Sequence, residues 1–347
     1  MKGASSIQKL RKHQKTLFLQ HIRNRVKIRR RRNKIRIHSA QYVRPSEITI
    51  SAPVNFCLLQ NPLECTAFFS KMRQEYRSKS HSSIILDLDC SKVESLDFPT
   101  VILFKAVIRE LRNKGVLVKG TLPDNIDCKR YFVDAGFLKN MYDSAGHKFK
   151  DPGKSVILKI EKGNGMLTLQ QSMAISELLY ASTDYLLGHK VPLPKLKSVL
   201  KEICGNSIEW GEAYNKFWMI GAKYDEDRVV FVAVDLGQGI LNSLRRKFTT
   251  LVIDWLTKSD QAVLEGAFDR KYGSKSEDIN RNNGLPSIKG LSIDNLVDNL
   301  CVVTNNVLLN FADTNRSITF ANKKSAFMGT LYTWELSLNS LKNISGL

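Results

Sequence analysis

Residues 229–240 read Val-Val-Phe-Val-Ala-Val-Asp-Leu-Gly-Gln-Gly-Ile. A continuous apolar run of this kind is typical of a β-strand that is buried on both faces. Asp235 closes the run, and Gly237 and Gly239 follow at alternate positions, where the missing Cβ atoms let the backbone turn tightly. A buried carboxylate at a strand end can accept a hydrogen bond from the exocyclic amine of adenine, whereas guanine presents a carbonyl there. Tight turns also use this motif, so the stretch predicts either a turn or an adenine pocket.

An upstream helix bears on that choice. Glu202 and Asn206 lie four residues apart after the Pro-rich turn at 191–194, so they project from the same side of the predicted helix. A carboxylate there can orient and deprotonate a water molecule, and a carboxamide oxygen can complete the octahedron that magnesium demands around a triphosphate. Taken alone, the pair is also compatible with an exposed Glu and an unrelated Asn. Followed by the strand that ends at Asp235, it indicates a nucleotide site.

Two later motifs complete a pattern. Residues 283–288 read Asn-Gly-Leu-Pro-Ser-Ile, and Gly329-Thr330 precedes an alternating strand at 331–336. With all four motifs in this order, residues 155–347 resemble the GHKL-type ATP-binding domain of DNA gyrase, MutL-type repair proteins, heat-shock ATPase chaperones and sensor histidine kinases. The resemblance implies a Bergerat-type two-layer α/β sandwich that binds ATP and Mg²⁺.

The resemblance also implies a role for each matched residue. Glu202 would be the catalytic base, and Asn206 would bind the metal. The implied cofactor-binding residues are Asn206, Asp235, Gly237, Gly239, Ile240, Gly284, Leu285, Ser287 and Thr330. Pro286 stands where the family usually has a further glycine, so one amide contact to phosphate is lost.

The segment between the two glycine motifs corresponds to the ATP lid of the family. It covers 241–282, and its polar composition predicts a mobile loop. Three cations in it, Lys271, Lys275 and Arg281, are candidates to meet the terminal phosphate. Solvated loop charges are the alternative.

Residues 47–142 alternate strand and helix, which predicts a small α/β domain. The segments 85–88, 95–100 and 111–116 make this stretch resemble a STAS domain, the fold of bacterial anti-sigma-factor antagonists. Asp97 matches the family's turn, but Phe98-Pro99 replaces its serines, so Thr100 is the nearby hydroxyl that a kinase would modify. We expect the STAS-like domain to be a scaffold or docking surface, and phosphorylation of Thr100 is the alternative. A polar linker is predicted at 143–154.

Charge is concentrated in a basic N-terminal extension, residues 1–46. These residues hold 15 Lys and Arg and no Asp or Glu, whereas the remaining 301 residues hold 38 basic and 33 acidic side chains. Such a segment attracts polyanions by releasing their counterions. The candidate partners are therefore nucleic acid, an acidic protein or an anionic lipid surface, and a solvated tail is the alternative.

The remaining composition predicts a cytoplasmic protein, and the family resemblances suggest a bacterial one. The six cysteines form no CxxC pair, and no apolar run approaches the roughly 18–20 residues that span a bilayer. We expect ATP hydrolysis that switches a protein or nucleic-acid partner, and lid closure would be compatible with a homodimer. The alternatives are a serine/threonine kinase of the anti-sigma type that acts on a STAS-like partner, and a module that holds ATP without hydrolysing it.

Overall fold

The computed structural model describes residues 46–78, 84–135, 137–138, 142–143, 145, 147, 156–161, 167–210, 217–247, 257–269, 284–320 and 327–345. All of the basic extension except Ser46, and most of the predicted linker, lie outside these residues. None of the helices in the described ranges is long and apolar enough to cross a membrane.

The N-terminal unit is a parallel α/β arrangement, as the alternating pattern predicts. Three parallel strands lie in the order β1-β3-β5, and a short parallel pair, β2-β4, flanks them. The elements of this unit are β1 (Ser46–Ser51), β2 (Asn55–Phe56), α1 (Pro62–Ser78), β3 (Ile84–Asp89), β4 (Ser95–Leu96), α2 (Phe98–Asn113), β5 (Leu117–Gly120) and α3 (Ile126–Asp134).

The C-terminal part is built on a seven-stranded antiparallel sheet in the order β11-β10-β9-β12-β8-β7-β6. Its strands are β6 (Val156–Glu161), β7 (Phe217–Tyr224), β8 (Arg228–Asp235), β9 (Asp298–Asn305), β10 (Val307–Asn310), β11 (Ile318–Thr319) and β12 (Phe327–Ser337). Its helices are α4 (Leu169–Leu187), α5 (Pro194–Trp210), α6 (Ile240–Lys247), α7 (Asp260–Phe268), α8 (Gly284–Ile293) and α9 (Leu338–Ser345), with a 3₁₀ turn at Thr314–Arg316. The chain is thus a mixed α/β protein.

The apolar run at 229–234 is a central strand buried on both faces, as predicted. Val232 and Val234 pack with the core of the N-terminal unit, and Val229, Phe231 and Ala233 pack with α4, α5 and α8 on the opposite face. Strand side chains alternate between faces, so a strand covered on both sides must be apolar at every position. β8 meets that requirement until it reaches Asp235.

Helix α2 fills the space between the two sheets. Asp97 caps it by accepting from the backbone N–H of Thr100 at 2.9 Å, and residues 98–108 are all buried, as expected for a helix covered on every side. It packs against β7 so closely that a Cβ atom added to Gly221 would lie 2.5 Å from Cδ1 of Ile102 and 3.1 Å from Cζ of Phe98. The N-terminal unit and the large sheet therefore share one hydrophobic core.

The lid prediction needs correction. The segment expected to be a polar mobile loop contains α6 and α7, and Leu241, Val263, Leu264 and Phe268 are buried in the core on the helical face of the large sheet. A cap by Ser259, whose hydroxyl accepts from the N–H of Ala262 at 3.1 Å, begins α7. The three candidate lid cations, Lys271, Lys275 and Arg281, lie outside the described residues.

The shared core generates a stability prediction. Gly221→Val should lower the free energy of unfolding by about 1–3 kcal/mol, because its branched side chain must displace Ile102 from a packed interior. Urea unfolding monitored by circular dichroism measures the change. Gly290→Ala in α8 is the control: nothing lies within 4 Å of the added Cβ atom, and a helical alanine should be neutral or stabilising. Equal stability of Gly221→Val and the wild type would contradict close packing of α2 on the sheet.

Candidate functional site

Four side chains lie in a row across the large sheet where β8 ends. In the registers of adjacent strands, Thr304 on β9 faces Thr330 on β12, Thr330 faces Asp235 on β8, and Asp235 faces Trp218 on β7. Directly opposed residues in antiparallel strands point to the same side of a sheet. The buried Trp218 belongs to the core formed with α4 and α5, so the row lies on that face. The Thr304 and Thr330 hydroxyl oxygens are 3.4 Å apart.

The loop after Asp235 is tied to the end of β9. The backbone N–H of Gly237 donates to Oδ1 of Asp235 at 2.8 Å, which closes a tight turn. Ile240 then donates its N–H to Oγ1 of Thr304 at 2.9 Å. Asn305 both accepts from the N–H of Leu241 at 3.0 Å and donates to the carbonyl of Gln238 at 2.8 Å. Both ends of the loop are therefore fixed by side chains on the sheet.

Two glycines of the predicted motifs have backbone conformations that other residues rarely adopt. Gly239 has φ of +82°, and a Cβ atom there would lie 2.5 Å from Oδ1 of Asn305. Gly329 has φ of +149°, and its Cβ atom would lie 2.3 Å from the carbonyl oxygen of Asp235. Both glycines are thus required by close contacts within the protein.

Helices α5 and α8 bring Glu202 to Gly284. A Cβ atom on Gly284, the first residue of α8, would lie 2.2 Å from Oε1 of Glu202, so the carboxylate packs directly against this helix N-terminus. A carboxylate is favourable there because the N-terminal end of a helix carries partial positive charge. Leu285 packs at the edge of the hydrophobic core that α4, α5 and α8 form with the large sheet, and Ser287 is exposed on the first turn of α8.

Pro286 also lies in the first turn of α8, where its missing N–H costs no helical hydrogen bond. Asn206 lies on α5, but its side chain is outside the described part of the structure. Its predicted role as a magnesium ligand therefore stays a prediction.

The electrostatics place Glu202 and Asp235 near one buried group, the phenol of Tyr332. Burial raises the pKa of the Tyr332 phenol, and the negative charges of Asp235 and Glu202 raise it further. Burial also raises the pKa of the Cys204 thiol well above its usual range, again with a contribution from Asp235. Cys204 lies between Glu202 and Asn206 in sequence on α5. The two carboxylates thus lie on one side of the sheet, around an interior of low polarity.

The Thr100 hydroxyl is not an accessible phosphorylation site. It is fully buried, donates to Oδ1 of Asp97, and accepts from the backbone N–H of Leu58 at 2.8 Å. Asp97 also accepts from the N–H of Leu59 at 3.1 Å, and burial raises the pKa of its carboxyl group. This network caps α2 and anchors the turn before α1, so a kinase could reach Thr100 only by opening the core. The hypothesis of phosphorylation there is wrong for this fold.

Sequence reasoning did not identify Thr304 and Asn305. Their signal is weak because β9 was not predicted as a strand, and their partners Gly239 to Leu241 lie more than 60 residues away. Asn305 has φ of +55°, a conformation that asparagine tolerates better than most residues. An Asn at the end of an apolar run, as in Val302-Val303-Thr304-Asn305, was the available clue.

Comparison with models of known protein families gave no match, and neither did comparison with the curated proteins.

The loop contacts predict a measurable difference between two asparagines of β9. Asn305→Ala should lower the free energy of unfolding by about 1–3 kcal/mol more than Asn299→Ala, because it leaves a buried N–H of Leu241 without its acceptor. Asn299 is a matched control, since it has φ of +51° on the same strand but is exposed and donates to Glu335. Chemical denaturation of both variants measures the difference. Equal losses would show that only the backbone conformation matters at Asn305.

Proposed function

We propose that residues 155–347 bind ATP together with Mg²⁺ in a GHKL-type site. The observation that carries the proposal is the convergence of Glu202, Asp235, Gly284 and Thr330. These residues are spread over 129 positions of the sequence, yet α5, α8 and the ends of β8 and β12 bring them to one side of one sheet. Convergence of separate motifs on one face is expected of a binding site and is not required by chain connectivity.

In this proposal Asp235 recognises the adenine base. Its carboxylate stands at the end of a buried strand, directly beside Thr330 in the strand register, and already accepts from Gly237. A carboxylate without donors of its own selects a base edge that presents an N–H group. The hydroxyl of Thr330 would help to hold the Asp235 carboxylate in place, as the family resemblance implies.

The phosphates would lie toward α5 and α8. The N-terminal end of α8 offers backbone amides, and Glu202 stands beside it as the candidate base for a water molecule. Magnesium would supply the charge that neutralises the triphosphate, and Asn206 is its candidate protein ligand.

The use of ATP is proposed to be a switch. The Bergerat-type part and the STAS-like unit share a core through α2, so a change at the nucleotide can alter the surface that the N-terminal unit presents. The basic extension, residues 1–46, would then contact a nucleic acid or an acidic protein under this control. If the chain is instead a kinase that phosphorylates a STAS-like protein, its substrate must be a separate protein, because its own Thr100 is buried.

A second candidate, a module that holds ATP without hydrolysing it, is favoured by one contact. The Glu202 carboxylate packs against Gly284 and is therefore placed to stabilise a helix end as well as to activate water.

Nucleotide selectivity tests the adenine role of Asp235. In Asp235→Asn the carbonyl oxygen of the new side chain accepts from Gly237, so its NH₂ group faces the base. That NH₂ group repels the amine of adenine, whereas it can donate to the carbonyl of guanine. The preference for ATP over GTP, measured by calorimetric titration, should fall by about tenfold or more. Asp227→Asn in the β7–β8 turn, 77 % exposed, is the control and should bind as the wild type does. Undiminished selectivity in Asp235→Asn would reject the assignment.

Turnover separates the two candidate functions. Glu202→Gln should retain ATP binding but release phosphate about 100-fold more slowly, because general-base catalysis typically contributes that factor or more. Release of labelled phosphate measures it, with Glu177→Gln on the exposed side of α4 as the control. A wild-type protein that binds ATP without turnover would instead establish the non-hydrolysing module, and label transferred to a co-purified protein would establish a kinase.

A further inference from the structure

A buried arginine of the N-terminal unit contacts the backbone beside the proposed adenine site. Arg73 lies on α1 and is 8 % exposed. Its Nη1 donates to the carbonyl of Met328 at 2.6 Å, and its Nη2 donates to the carbonyl of Leu236 at 3.1 Å. One guanidinium group therefore joins β12 to the loop after β8, although these two carbonyls come from residues 92 positions apart.

Glu110 on α2 fixes the orientation of this guanidinium group. Nε of Arg73 lies 2.8 Å from Oε2 of Glu110, and Nη2 lies 3.3 Å from Oε1. Lys114 approaches the same Oε1 at 2.5 Å. Because the fork of an arginine is planar and rigid, a carboxylate that holds one edge aims the remaining donors. The pair is buried in the core that joins the two sheets, where a lone charge would be costly.

The two carbonyls that Arg73 binds lie where regular strand pairing ends. Leu236 follows the last residue of β8, and Met328 precedes Gly329 in a segment where the register of β12 on β9 shifts. A bulge interrupts the hydrogen-bond ladder, and buried carbonyls need donors from elsewhere. Leu236 is also the neighbour of Asp235, and Met328 lies two residues before Thr330.

We propose that Arg73 is a positioning residue that sets the spacing of Asp235 and Thr330. It acts through the backbone, from the side of the sheet that is covered by α1 and α2, and does not touch the site itself. The contact links the position of the N-terminal unit to the shape of the pocket, so a partner that moves α1 changes nucleotide affinity, and bound nucleotide changes partner affinity by the same factor. The effect of Arg73 on nucleotide affinity rests on the proposed ATP site.

Two variants and one control test this role. Arg73→Lys keeps a positive charge for Glu110. Its ammonium group lacks the rigid planar fork of a guanidinium, so it cannot donate to two separated carbonyls and a carboxylate together. Arg73→Met combined with Glu110→Met removes both charges together at similar volume, a change that buried pairs often tolerate without loss of folding. Met72→Ala is the control, because it truncates a fully buried neighbour on the same helix and leaves both carbonyl contacts in place.

The first measurement needs no nucleotide. Hydrogen exchange of the full-length protein reports on the amides of Ile240 and Leu241, which donate to Thr304 and Asn305. Both Arg73 variants should exchange these amides about tenfold faster or more, since each lost charge-assisted bond eases local opening. Met72→Ala should lower the unfolding midpoint without this local effect. Equal acceleration in Met72→Ala, or none in the Arg73 variants, overturns the positioning role.

The second measurement is ATP affinity by calorimetric titration. Both Arg73 variants should bind ATP about tenfold more weakly than the wild type, whereas the folded Met72→Ala protein should bind equally well. Unchanged affinity in the Arg73 variants overturns the coupling, even if exchange is faster. If the wild type fails to bind ATP, the proposed function falls, and the exchange of the Ile240 and Leu241 amides by itself confirms or overturns the positioning role.

Discussion

The large sheet is covered on both faces, and most features of the chain follow from that constraint. The core of the N-terminal unit covers one face of β8 and β12, and α4, α5 and α8 cover the other. Polar side chains cannot lie along such strands without partners, so they gather where the strands end. Asp235, Thr304 and Thr330 lie at one such end, in adjacent strands. The candidate site therefore occupies a position where the packing itself permits polar groups.

Sequence patterns predicted those parts of the fold whose signals are local. The apolar run at 229–234 specified a strand buried on both faces, and the strand-helix alternation of 47–142 specified a parallel α/β unit. Asp235 and Thr330 were predicted as site residues, and the strand register does place them side by side. Strands β7 and β9 were not predicted. Each pairs on one side with the next strand along the chain and on the other with a more distant one, β6 for β7 and β12 for β9. β9 also ends in Thr304-Asn305, which resembles a loop when read locally.

The role of Arg73 illustrates why tertiary contacts escape local reading. It lies in Lys71-Met72-Arg73-Gln74-Glu75, which in sequence resembles the solvated face of a helix. Only the packing of α1 beside α2 and β12 brings it to Glu110 and to carbonyls 163 and 255 residues further along the chain. The same holds for α7, which falls within the predicted lid segment, because its burial depends on the large sheet.

The close contacts of the glycines make their motifs weaker support for nucleotide binding. Gly239 is required by Asn305, and Gly284 is required by Glu202, so both have a sufficient cause within the protein. A glycine explained by its neighbours says little about a phosphate. Asp235 is different, because its half-buried carboxylate stands where a buried strand ends, directly opposite Thr330 in the strand register. The hydrogen bond from Gly237 closes a turn, and a turn alone is served equally well by Asn or Ser. For recognition of the adenine base, Asp235 and its alignment with Thr330 are therefore stronger support than the glycines of the motifs are.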